Sequence, residues 1–159
     1  AANNDLMSAS LLLEKAISID DENKWYKQLL AQIYQQSRKF SEAADLYTRL
    51  LEDDPENIEF LYSKAVLLSN AEKFDEAIEA YNQLEDKTGI NEQITVAKQQ
   101  LYVTAGEIDK AFEEVERLIE FAPDEPKYYG LLADLYLGQG NNEKALEYNN
   151  KILEMDQVE

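Results

Sequence analysis

Carboxylates dominate the reactive side chains of this sequence: 33 Asp and Glu against 15 Lys and Arg, with no His and no Cys in 159 residues. Without His and Cys the commonest general base, the thiol nucleophile and nearly every zinc site are excluded. Catalysis would have to rest on Asp, Glu, Lys or Tyr. Glu113, Glu114 and Glu116 stand close together, but on an amphipathic helix such neighbours form a solvated face. Glu52, Asp53, Asp54 and Glu56 lack the alternating ligands and central glycine of a calcium-binding loop. Gly138 and Gly140 spell GxG, but between two expected helices rather than between a strand and a helix, so they read as turn glycines and not as a dinucleotide cradle. Ten tyrosines invite a stacking or glycan-binding role. Most of them, including Tyr34, Tyr47, Tyr81, Tyr102 and Tyr136, fall on apolar stripes, where packing is their use. The sequence therefore assigns no catalytic residue, no metal site and no cofactor, and the expectation is a protein that is not an enzyme.

The net charge of -18 opposes phosphate backbones and anionic lipid surfaces, which argues against nucleic acid as a partner. Such an acid excess is first a solvated helical surface, and second an attraction for a basic partner whose affinity falls steeply with salt. With no Cys the redox argument for a compartment is silent. No apolar run approaches the length of a membrane span. The expectation is a soluble chain without membrane insertion, cytoplasmic or, if a leader preceded Ala1, periplasmic or of the cell envelope. Hydrophobic residues at 45%, with five Gly and three Pro, exclude disorder.

What positions these residues is a repeat. Ala43, Ala77, Ala111 and Ala145 are each 34 residues apart, and the stretch Lys24–Pro55 recurs at Ile58, Glu92 and Pro126 without insertions. A fixed period of that length means stacked supersecondary units. In the first half of each copy, Tyr26, Phe60, Ile94 and Tyr128 share one position and Ile33, Leu67, Leu101 and Leu135 another, an apolar stripe at helical spacing. This half is helix A. After a polar break, Phe40, Phe74 and Ile108 open a second stripe that runs through the shared alanine to Leu50, Leu84, Leu118 and Ile152. This half is helix B. Ser41, Asp75 and Asp109 are expected to cap it; Pro55 and Pro123 close it, and Gly89 does so in the second copy. The alanines, together with Ala31, Ala65 and Ala133 on helix A, allow two antiparallel helices to approach closely. Gln99, beside Lys98, breaks that rule in the third copy and makes its helix A the weakest element.

The expected division is a half repeat over 1–23, holding a lone helix B through Leu6, Ala9, Leu13 and Ala16, then repeats over 24–57, 58–91, 92–125 and 126–159, as a single solenoid domain. Leu146 and Leu153 would be left without a covering helix. The expectation is a segment of a longer array, with self-association through uncapped ends as the rival.

In the first copy Leu30, Ala31, Tyr34, Ala43, Tyr47 and Pro55, and in the fourth Tyr129, Leu132, Ala133, Tyr136, Gly140 and Ala145, resemble the tetratricopeptide repeat. The resemblance covers about residues 6–157. Departures are Gln99 at a small-residue position, Asn149 at an aromatic one, and Asp21, Gly89 and Gln157 at the proline. It implies an all-α, right-handed superhelix of helix pairs whose A helices line a concave groove for a peptide or helix of a protein partner, in a scaffold or adaptor.

In that family positions 2, 5, 9 and 12 of helix A face the groove, and here the resulting candidate residues are Trp25, Gln28, Gln32, Gln35, Tyr62, Val66, Gln100 and Val103. The sixteen such positions carry three charges, at Glu59, Lys127 and Asp134, so the groove is expected to be amide-rich and apolar. Members that hold the acidic tail of heat-shock chaperones use Lys, Asn and Arg at set places. Here those places hold Gln28, Gln32, Ser63, Gln93 and Ala97, or one repeat later Tyr62, Val66, Ala97, Lys127 and Leu131, and no carboxylate clamp is present. The reading is a non-catalytic protein-interaction module. The alternative is a spacer in a longer array whose binding site or catalytic domain lies outside this chain.

Overall fold

Asn23, Asn57 and Asn91 stand 34 residues apart, and each starts a helix. Their side-chain oxygens accept from the backbone N–H of Tyr26 at 3.3 Å, Phe60 at 3.0 Å, and Gln93 at 2.8 Å, partners that the free donors of a helix N-terminus need. The computed structural model describes residues 2–155, with side chains from Asp5 onward. Its helices are α1 (Ala2–Ile19), α2 (Lys24–Gln36), α3 (Phe40–Asp53), α4 (Ile58–Asn70), α5 (Phe74–Thr88), α6 (Glu92–Ala105), α7 (Ile108–Phe121), α8 (Pro126–Gly138) and α9 (Asn142–Met155). Among the described residues there is no strand. The asparagines cap α2, α4 and α6; α8 opens on Pro126 instead, whose missing N–H is no loss at a first helical position.

The turns from α2 to α3, α4 to α5, α6 to α7 and α8 to α9 share one design. Arg38, Glu72, Gly106 and Gly140, again 34 apart, hold φ of 58°, 57°, 79° and 72°. Each is followed by a backbone bond that reaches back over the turn: Lys39 N–H to Tyr34 at 2.8 Å, Lys73 to Leu68 at 3.0 Å, Glu107 to Tyr102 at 2.8 Å and Asn141 to Tyr136 at 2.9 Å. A left-handed residue and this six-to-one bond satisfy the last carbonyls of the first helix.

The expected caps Ser41 and Asp109 are not caps. Lys39 and Glu107 occupy those positions with no side-chain bond, and Ser41 and Asp109 are already inside α3 and α7; Asp75 likewise lies in the first turn of α5. Lys39 and Glu107, whose N–H groups make the six-to-one bonds of the turn, are also the N-caps of α3 and α7, so the turn fixes where those helices begin. Asn141, before α9, does accept from the Lys144 N–H at 3.2 Å.

The helices form two compact units, residues 1–87 and 88–159. In the first, Ala43, Ala65 and Ala77 are fully buried with Leu50 and Leu84, and Tyr47 on α3 meets Phe60 on α4 with ring centroids 5.9 Å apart. In the second, Ala111, Val115, Leu132 and Leu135 form the core, covered by Tyr102, Phe112 and Tyr148. Tyr136 stacks on Tyr148 at 5.6 Å and meets Phe112 at 4.6 Å. The helix A expected to be weakest forms as α6, and the buried Gln99 takes the small-residue place. Beside it the buried Lys98 reaches Glu114 on α7 at 2.8 Å. Leu146 and Leu153 are exposed, as expected of a face without a covering helix.

Candidate functional site

Helical spacing puts Trp25, Gln28, Gln32 and Gln35 on one face of α2, and Glu59, Tyr62, Val66 and Ser69 on one face of α4. Both helices belong to the first unit. Trp25 is 63% exposed and Tyr62 43%; Gln32 and Gln35 are exposed, while Gln28 and Val66 are partly covered. The Trp25 ring leans on Tyr26 with centroids 5.6 Å apart, which holds a large apolar surface out toward solvent. Tyr62 and Ser69 both border Tyr81 of α5. Burial raises the Tyr81 hydroxyl, a hydrogen bond with Ser69 works against that rise, and nearby Tyr62 adds to it. Ser69 also donates to the Ala65 carbonyl at 2.8 Å, so the end of this face is tied down.

The remaining two candidates lie in the second unit, on α6, where Gln100 and Val103 are exposed. Of the charges at corresponding places of that unit, Asp134 is exposed and Lys127 is paired. Lys127 binds Glu92 at 2.6 Å and Tyr128 donates to the same carboxylate at 3.2 Å. The hydrogen bond from Lys127 holds the Glu92 carboxyl below the usual carboxylate range, with Tyr128 contributing. Offered to a ligand, these faces present amide donors and acceptors, a few methyl groups and two exposed rings. None of the eight residues is a nucleophile with an adjacent base.

The sequence reading missed the residues that support these faces. Asn23, Asn57 and Asn91 fix where α2, α4 and α6 begin, and thereby which side chains point outward; their own 34-residue spacing was the available signal. No helix of the described residues is long and apolar enough to cross a membrane.

A crystal structure of MamA superposes with a TM-score of 0.69 at 21% identity, over 99% of this chain and 92% of that one. MamA from Desulfovibrio magneticus RS-1, from residue 41 to its end, gives 0.68 at 14% identity, over 97% and 87%. At these identities the likeness speaks for the fold. No curated protein matches the chain in sequence. Three tetratricopeptide-repeat models match residues 29–89, 70–135 and 126–158. With helix pairs, buried alanines and left-handed turns all recurring at the same period, the chain belongs to the tetratricopeptide repeat family.

Proposed function

We propose that this chain is a non-catalytic scaffold built of a half repeat and four repeats, at 1–23, 24–57, 58–91, 92–125 and 126–159, that binds an extended or helical protein segment along the outward faces of its A helices. The observation that carries the reading is compositional. In a chain with net charge -18, the exposed face of α2 holds Trp25 and three glutamines, with Lys24 at its N-terminal end and no carboxylate, although an exposed helix face is ordinarily its most charged part. The face of α4 adds Tyr62 and Val66, and α6 carries the same kind of surface in Gln100 and Val103. Glutamine amides pair with a peptide backbone, and rings and valines take its apolar side chains. Exposed aromatic side chains are the usual anchors of such contacts.

A peptide selected against the full chain from a random library tests the reading. Its affinity should drop at least about tenfold in Tyr62→Ala with Gln32→Ala and change little between low and physiological salt. Selected peptides that all bind the double variant as tightly as the parent would remove these faces from consideration.

A further inference from the structure

A second surface in the first unit has a different chemistry. Helices α1, α2 and α3 line an open cleft of about 410 Å³, within the range of ligand-sized clefts. Its floor is apolar, made by Ile17, Leu30 and Leu46, all buried. Its rim is acidic: Glu14 comes from α1, and Glu42 and Asp45 from α3. The cation in the wall, Arg49, is engaged by Asp21 in the turn after α1. Among the described residues no Lys or Arg forms an ion pair with Glu14, Glu42 or Asp45. Tyr34 spans floor and rim, donating to Glu14 at 2.6 Å, and Lys39, over its ring at 5.2 Å, lines a separate hollow with Met7 and Ser10. Burial first, then the bond to Glu14 and the nearness of Glu14 and Glu42, push the Tyr34 hydroxyl up to about 12.

The repeat supplies an internal comparison. Shifted by 34 residues, Leu30 becomes Lys64 and Leu46 becomes Ala80; shifted again, they become Lys98 and Glu114. In those copies the protein brings its own cation to the place where the first copy has a leucine floor. In the third copy that cation is buried and bound to a carboxylate.

We propose that the α1–α2–α3 cleft docks a basic amphipathic segment of a protein partner, with a Lys or Arg side chain laid along Leu30 and Leu46 and its charged head among Glu14, Glu42 and Asp45. An aliphatic stem with a cationic tip matches an apolar floor with an acidic rim, and charge complementarity favours encounter with a molecule at -18. A second copy of the chain is repelled by the same charge. The surface shares no residue with the faces of Trp25, Gln32 and Tyr62, so the two sites are separable.

The test uses the full chain and a fluorescein-labelled amphipathic peptide of lysine and leucine, followed by fluorescence anisotropy. The parent should bind it, and raising salt to about 0.15 M should weaken binding several-fold. Glu42→Gln with Asp45→Asn, both exposed and outside the core, should weaken it about tenfold or more. Asp75→Asn with Glu76→Gln removes the same charge from α5 and should leave affinity within about twofold. Ser18→Arg, which places a cation at the cleft, should compete from within, and a peptide with serine for leucine should bind weakly. Tyr62→Ala should have no effect. Equal losses in the two charge-removing pairs, equal binding of the serine peptide, or no binding by the parent would each overturn the proposal.

Discussion

Lys98 and Glu114 form the most enclosed ion pair among the described residues, with side chains 3% and 9% exposed, and Arg117 adds a second contact to Glu114 at 2.9 Å. A buried pair is stabilising only while both members are present, because the charge left behind has no water. Glu114→Leu is expected to lower stability by about 3 kcal/mol. Adding Lys98→Leu recreates the Leu30 and Leu46 arrangement of the first repeat and should return it to within about 1 kcal/mol of the parent. Urea unfolding midpoints at constant slope decide both. The caps give a second prediction at this scale: Asn57→Ala removes the acceptor of the Phe60 N–H and should cost about 1 kcal/mol.

At the scale of the element, the turn between helices is the shared device, and the chain fills its left-handed position in two ways. Gly106 and Gly140 adopt it freely, whereas Arg38 and Glu72 do so against the repulsion of their own Cβ. Arg38→Gly and Glu72→Gly are each expected to raise stability by about 0.5–1 kcal/mol, net of the added freedom of the unfolded chain. Gly106→Ala should lower it by about 1 kcal/mol, since nothing lies within 4 Å of a Cβ built there and conformation alone decides. Thermal or urea denaturation reads all three. These turns also show why the sequence was legible to the extent it was. Repeated alanines and the stripe of Ile33, Leu67, Leu101 and Leu135 announced the helix pairs because packing tolerates few residue types there. The start of helix B was legible at Phe40, Phe74 and Ile108, but the caps expected at Ser41 and Asp109 were not caps, since good capping residues say nothing when a turn has already fixed the cap. Arg38 and Glu72 gave no warning of a left-handed backbone, because only glycine marks it. The acidic cleft stayed hidden for another reason: Glu14, Tyr34 and Asp45 lie on three helices, and only the arrangement of the helices unites them.

Over the whole molecule, negative charge and tyrosines that are buried or half-buried act together at high pH. Tyr34 is raised to about 12, and Tyr81, Tyr102, Tyr128 and Tyr148 are raised too, burial being the first cause in each. A raised folded-state value means that the stabilisation is fully present below the unfolded value of about 10 and is lost as pH climbs through the folded one. Unfolding free energy should therefore decline between about pH 10 and 12, and Tyr34→Phe should flatten that decline; tyrosinate absorbance followed beside denaturation checks it. The same molecule faces a problem peculiar to self-similar chains, in which a helix from one copy can settle into the place of its counterpart in another while the protein is still assembling. At the two places that meet in Lys98 and Glu114, the other copies hold Leu30 with Leu46, Lys64 with Ala80, and Leu132 with Tyr148. An α9 that slid into the seat of α7 would bring a tyrosine to the ammonium of Lys98, and an α8 in the seat of α6 would bury the Glu114 carboxylate against a leucine. The ion pair thus works as an address, costly to read wrongly, that keeps α8 and α9 out of the seats of α6 and α7, although α4, with Lys64 at the same place, is not turned away by it.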